Sequence, residues 1–208
     1  MSPGPAHGRA RREAILSLVE EPSFVVDVGC DHGYIGAAMA ARGLRVVATE
    51  RRSQRLPKHR VVPMIVADGL RPFRARDLVV IAGMGAHVIV EMLSGPVRPR
   101  VAIVHAPERT DSLRQGLADA GWRIDAERLA PEAGRFAEVI RVVPGRESHR
   151  GHALWMGPLL PAEPLWLPHA RGVLAHWQRV AAQAPAGSGG RDRAEGWVRW
   201  LSARLSGA

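Results

Sequence analysis

Phe24-Val25-Val26-Asp27-Val28-Gly29-Cys30-Asp31-His32-Gly33-Tyr34-Ile35-Gly36 is the stretch that decides the fold. Its first half is a short β-branched run bounded by turn residues, the mark of a buried strand. Glycines then punctuate a tight turn, and residues 33–42 predict a helix that Gly43 caps. Upstream, residues 8–20 space Ala14, Ile15, Leu18 and Val19 onto one helical face, and Pro22-Ser23 ends that helix. Downstream, Arg45 to Glu50, Val61 to Val66, Leu78 to Ala82 and Val101 to Val104 read as further strands. Helices are expected over 86–93 and 110–120, the second ending at Gly121. Strands alternating with helices imply right-handed crossovers and a parallel, doubly wound α/β sheet.

The pattern changes after Gly121. Trp122 to Leu129 and Phe136 to Val143 are strand-like runs joined by residues 130–134, with no helix between them, so they predict a hairpin. A parallel sheet closed by an antiparallel hairpin is the pattern of Rossmann-like class I methyltransferases, an analogy of fold alone. Residues 144–150 read as a boundary. Beyond it, 165–182 and 191–205 predict two helices separated by a flexible turn over 184–190. The expected division is a main domain over 1–148 and a small helical extension over 149–208, a helical hairpin that packs on the main domain or projects from it. Five of the six tryptophans fall in the extension, where helix packing is the preferred reading over base stacking.

Length and composition narrow the function classes. A chain of 208 residues buries a real core, roughly 70% of its unfolded surface at this size. No run approaches the ~18 apolar residues of a membrane span, and the first residues lack the apolar stretch of a signal peptide, so a cytoplasmic protein is expected. Cys30 is the only cysteine, which excludes internal disulfides and a multi-cysteine zinc site. Lys+Arg number 29 against 20 Asp+Glu, a net charge of +9, and all but Lys58 of these cations are arginine. Such a field attracts polyanions, although arginine enrichment beside abundant Ala, Gly and Pro also follows from a GC-rich genome.

The candidate site gathers at predicted strand ends. Asp27, Gly29, Cys30, Asp31 and Gly33 surround the first turn, where glycines let a ligand approach the backbone. The dinucleotide fingerprint G-x-G-x-x-G has a second glycine where this chain has Asp31. A pyrophosphate there would meet a carboxylate; a cationic or zwitterionic cofactor such as S-adenosylmethionine would not. Glu50 lies 21 residues past Gly29, placed to accept hydrogen bonds from a ribose diol. Asp68-Gly69 follows the third strand, at the corner expected beside a cofactor's adenine. Ala82-Gly83-Met84 ends the fourth strand, where a Gly-flanked methionine admits a flat base. His32 can face the reacting group; His87 and His105 are weaker candidates on the same side. Cys30 reads as a small filler, not a nucleophile.

Together Val26 to Ile35, Ala67-Asp68-Gly69-Leu70 and Ile81-Ala82-Gly83-Met84-Gly85-Ala86 resemble the TrmK family of bacterial tRNA adenine-N1 methyltransferases, which act at tRNA position 22. Leu113-Arg114, Ala120 to Ile124 and Met156 to Leu160 extend the resemblance over about residues 8–160. It implies S-adenosyl-L-methionine as cofactor, held by Asp27, Gly29, Cys30, Asp31, Gly33, Glu50, Asp68, Gly69, Ala82, Gly83 and Met84. It implies tRNA or another structured RNA as partner, and His32, Asp31 and Met84 at the reacting centre; the sequence leaves the oligomeric state open, with a monomer favoured. Arginines such as Arg9, Arg11, Arg12, Arg51, Arg52 and Arg55 are then expected on phosphates. The chain departs from the family in three places. Only Arg51 to Arg60 separate strands two and three, where the family has a helix. Gly33 and Ala86 stand for the usual Ala and Gly. His105-Ala106-Pro107-Glu108 replaces Gln-Pro-Asn. Methylation of another RNA position or of a small molecule, and a non-catalytic RNA-binding role, stay open as alternatives.

Overall fold

The computed structural model describes residues 8–20, 24–56, 61–73 and 78–207. Seven strands form one sheet: β1 (Val25–Val28), β2 (Val46–Glu50), β3 (Met64–Val66), β4 (Leu78–Ala82), β5 (Val101–His105), β6 (Trp122–Glu132) and β7 (Arg135–Pro144). Their order is β3-β2-β1-β4-β5-β7-β6. The first five are parallel, and β7 enters antiparallel between β5 and β6. From β1 the chain builds outward through β2 and β3, then returns to β4 on the other side. The switch point therefore lies between β1 and β4.

Every residue of β1 is buried, because helices cover both faces of a parallel sheet. On one face Val26, Val28, Val79, Ile81 and Val104 pack with α3 (Ala86–Leu93) and α4 (Thr110–Asp119). On the other, Val25, Val80 and Ile103 pack with α1 (Arg9–Ser17) and α2 (Tyr34–Ala40). Register aligns the carboxyl ends: Val28 pairs with Thr49 and Ile81, and Ala82 pairs with His105.

The expected strands and main helices form, with several differences. Helix α1 stops at Ser17, and β3 holds only Met64–Val66; Pro22-Ser23 lies outside the described residues. The hairpin arms run longer than their apolar runs, since Ala130↔Ala137 and Pro131↔Phe136 still pair. The turn is only Ala133-Gly134, both at positive φ (48° and 79°). Pro131 is tolerated because β6 is the sheet's free edge. A short helix α5 (Gly151–Trp155) and a 3-10 turn at Leu160–Ala162 were too brief to show periodicity.

The extension folds as an antiparallel pair, α6 (Trp166–Gln183) and α7 (Gly189–Leu205). Its tryptophans pack against one another: Trp177 stacks on Trp197 at 5.6 Å, and Trp197 is buried. This third core also takes Leu129 and Phe136 from the hairpin. Arg114, wholly buried on α4, ties the parts together. It donates to Glu127 of β6 at 2.8 and 2.7 Å, meets Glu138 of β7 at 2.6 Å and donates to the Trp155 carbonyl at 3.1 Å.

Candidate active site

Strand β1 delivers Asp27 to the carboxyl edge, and the chain then turns sharply. Gly29 (φ 70°) and Cys30 both donate backbone N–H groups to the Thr49 carbonyl, at 2.8 and 2.9 Å. Asp31 takes the left-handed conformation (φ 45°), unusual for a residue with a Cβ, and Gly33 (φ 71°) starts α2. A Cβ on Gly29 would come within 2.0 Å of the Met84 methyl, so glycine here brings two loops into contact.

Asp27 is the buried pivot. Its Oδ2 accepts the Gly36 N–H at 2.9 Å. Burial pushes its carboxyl up from an ordinary value of 3.8 to about 7, and the Gly36 N–H offsets only part of that. Glu50 ends β2, almost buried, with Oε1 accepting the Arg52 backbone N–H at 2.9 Å. Asp68 is more open and faces Arg71 at 3.5 Å. Gly83 (φ 82°) donates its N–H to the His105 carbonyl at 2.9 Å, fixing the loop after β4 to the end of β5.

These side chains meet around one cavity of about 540 Å³. Asp27, Gly29, Cys30, Asp31, His32, Glu50, Asp68, Gly69, Ala82, Gly83 and Met84 all line it. Gly33 does not; it is buried behind the turn, where an added Cβ would lie 2.7 Å from the Met64 methyl. His32 is exposed at the cavity, its Nε2 3.8 Å from Asp31 and its ring 5.6 Å from that of Tyr34. The Cys30 thiol is pushed up to about 12, by burial first and then by the charges of Asp27 and Glu50, so it is no nucleophile near neutral pH.

The other two histidines stand apart from this cavity. His87 lines a second one with Pro107, Glu108, Arg109 and Ser112. His105 is buried and lines a third; its Nδ1 donates to the Glu138 carbonyl at 3.0 Å, and burial lowers its basicity. Since a carbonyl only accepts, Nδ1 carries a proton, and burial favours the neutral ring. Sequence reasoning gave no cavity role to Tyr34, Ile35, Val88 or Met92, all of which line it. Arg11 and Arg12 also reach the cavity, because α1 packs across α2 and the hairpin strands.

The chain matches the family described as Methyltransferase domain over residues 9–140. No curated protein matches it in sequence. Among solved structures, a putative tRNA (m1A22) methyltransferase from Streptococcus pneumoniae superposes with a TM-score of 0.81 at 23% identity, covering 94% of this chain and 98% of that one. TrmK from M. capricolum, solved with S-adenosyl-homocysteine, gives a TM-score of 0.76 at 14% identity, covering 94% and 96%. A magnesium protoporphyrin IX methyltransferase from Synechocystis gives 0.54 at 16% identity, covering 65% of this chain and 80% of that one.

Proposed function

The chain belongs to the methyltransferase-domain family, and from that premise we propose that it transfers a methyl group from S-adenosyl-L-methionine to N1 of an adenine in tRNA. The observation that carries this reading is the cavity at the β1–β4 switch point, floored by acid and glycine. Open α/β sheets bind ligands outside the carboxyl ends of their strands, at such a point.

The residues fit the cofactor. Asp27 is a carboxyl that burial pushes up to about 7, and a sulfonium-ammonium ligand would supply a counter-charge that favours its ionised form. Glu50 would hold the ribose hydroxyls, Asp68 and Gly69 the adenine end, and Gly29 and Gly83 give close backbone approach. Cys30 and Gly33 would shape the turn, Gly33 from behind. When bound, the cofactor contributes an electrophilic methyl group.

Everything else falls to the chain. Adenine N1 already has a lone pair, so no base need take a proton before attack. The task is to hold N1 in line, which is catalysis by proximity and orientation. Met84, between Gly83 and Gly85, offers a soft surface to a flat ring. Methylation at N1 leaves the ring cationic, and Asp31 with neighbouring His32 would face that charge as it develops. N1 lies on the pairing edge, so the target must be unpaired or flipped out.

Several further features belong to the same reading. The catalytic unit spans 1–148 and the helical extension 149–208. A cytoplasmic monomer acts on tRNA; among the described residues no helix is long and apolar enough to cross a membrane. The experiment is tritiated-methyl incorporation into a pool of unmodified tRNA transcripts, with D27A as the control. Wild-type protein is expected to label the pool, and D27A to lose at least roughly 100-fold, about 2.7 kcal/mol of transition-state stabilisation. No incorporation into any RNA overturns the reading.

A further inference from the structure

The cavity has an acidic floor and an arginine rim. Asp27 and Glu50 lie buried below, while Arg51, Arg52 and Arg55 line the same cavity and are exposed. Several arginines elsewhere face a carboxylate, among them Arg9, Arg11, Arg71, Arg109, Arg123, Arg128 and Arg141. Among the described residues, Arg51, Arg52 and Arg55 face none. Three exposed guanidinium groups within five residues repel one another, so the arrangement costs stability unless an anion joins it.

Below the rim lies the Glu50 carboxylate, which accepts the Arg52 backbone N–H at 2.9 Å and repels a phosphate seated deep in the cavity. Phosphates are favoured instead at the exposed guanidinium groups of the rim. Arg11 and Arg12 of α1 line the same cavity, Arg11 paired with Glu132 and Arg12 over the Tyr34 ring at 5.5 Å. Between β2 and β3 the described residues form one 3-10 turn, Ser53–Arg55. A phosphodiester strand held at Arg51, Arg52 and Arg55 would lie across the mouth.

We propose that the RNA itself closes the cofactor cavity, docking its phosphates on Arg51, Arg52 and Arg55, so that cofactor enters before the RNA and S-adenosylhomocysteine leaves after it. This rests on the methyltransferase reading above. RNA lying across the mouth obstructs the path of S-adenosylhomocysteine, so the closure is read in its release rate.

The test measures dissociation of radiolabelled S-adenosylhomocysteine from the full chain, with and without saturating unmodified tRNA transcripts. In wild type the RNA slows release roughly tenfold, as a strand lying over the exit requires. The variant R51Q/R52Q/R55Q loses most of that factor, and its RNA affinity falls less steeply with salt, by about two to three units of log-log slope. A charge-matched control, R45Q/R100Q/R146Q, keeps the factor. Those three exposed arginines precede β2, precede β5 and follow the antiparallel β7, which puts them at the far end of the sheet. Release unaffected by RNA, no binding of the transcripts, or undiminished slowing in R51Q/R52Q/R55Q would each overturn the proposal while leaving the cofactor reading intact. Failure of the wild type to bind S-adenosylhomocysteine at all overturns both.

Discussion

Asp27 carries two opposed demands. It is buried where a carboxylate is costly, yet it sits where a cationic ligand needs one. Its folded-state value of about 7 lies above the ordinary 3.8, so folding favours the protonated form. The stability this gives is fully present below the unfolded value and is lost as pH rises through about 7, on the order of 4 kcal/mol by linkage. D27N keeps the shape and an acceptor for the Gly36 N–H but cannot ionise. The ligand-free variant should therefore lose less thermal stability than wild type between pH 6 and pH 8.5, while its affinity for S-adenosylmethionine drops at least roughly tenfold. Wild-type affinity should rise with pH across the same window. Melting curves and calorimetry at both pH values check this; a D27N melting point as pH-sensitive as wild type would sink the account. Asp27, Gly29 and Glu50 were legible in the sequence because strand ends and left-handed turns admit few residue types. His105 was not, because a strand-end side chain turns toward cavity or core according to its neighbours, and the Glu138 carbonyl turns it inward.

At the level of elements, the clamp on α4 decides how the hairpin and the extension meet. Arg114 pairs with both Glu127 and Glu138, and Glu127 Oε2 accepts the Leu159 N–H at 2.9 Å. Burial alone would make Arg114 easier to deprotonate, but the two carboxylates outweigh it and hold the guanidinium charged. Removing one partner of such a pair leaves charge buried without compensation. R114A should lower unfolding stability by about 3–5 kcal/mol, read by urea denaturation. R114M with E127Q and E138Q should recover much of the loss. A cost below about 1 kcal/mol for R114A would mean that water already reaches the carboxylates. None of this was readable from Leu113-Arg114 as a motif. Periodicity placed Arg114 on α4, but only the antiparallel insertion of β7 brings Glu138 beside Glu127.

For the whole molecule, a functional division at 148 is not a division of the core. The third hydrophobic cluster takes Leu129 and Phe136 from the hairpin and Trp166, Trp197 and Leu201 from the extension. Polar bonds cross the same line: Leu129 N–H to Glu163 at 3.2 Å, Trp155 to Gln115 at 3.0 Å, and Arg193 to Asp111 at 2.7 Å. Sequence alone showed two helices separated by a flexible turn, and left open whether they pack or project. Deciding that requires knowing which hairpin residues face away from the sheet core, a tertiary fact. Contacts of this kind couple the two parts into one unfolding unit. Because Trp155, Trp166, Trp177, Trp197 and Trp200 all lie beyond residue 148, tryptophan fluorescence chiefly reports the extension, whereas far-ultraviolet circular dichroism reports all helices and strands. The two probes should give one coincident thermal transition. An earlier fluorescence transition, with the sheet signal intact, would show that the extension melts alone and that its contacts with the hairpin contribute little to holding the cavity's walls together.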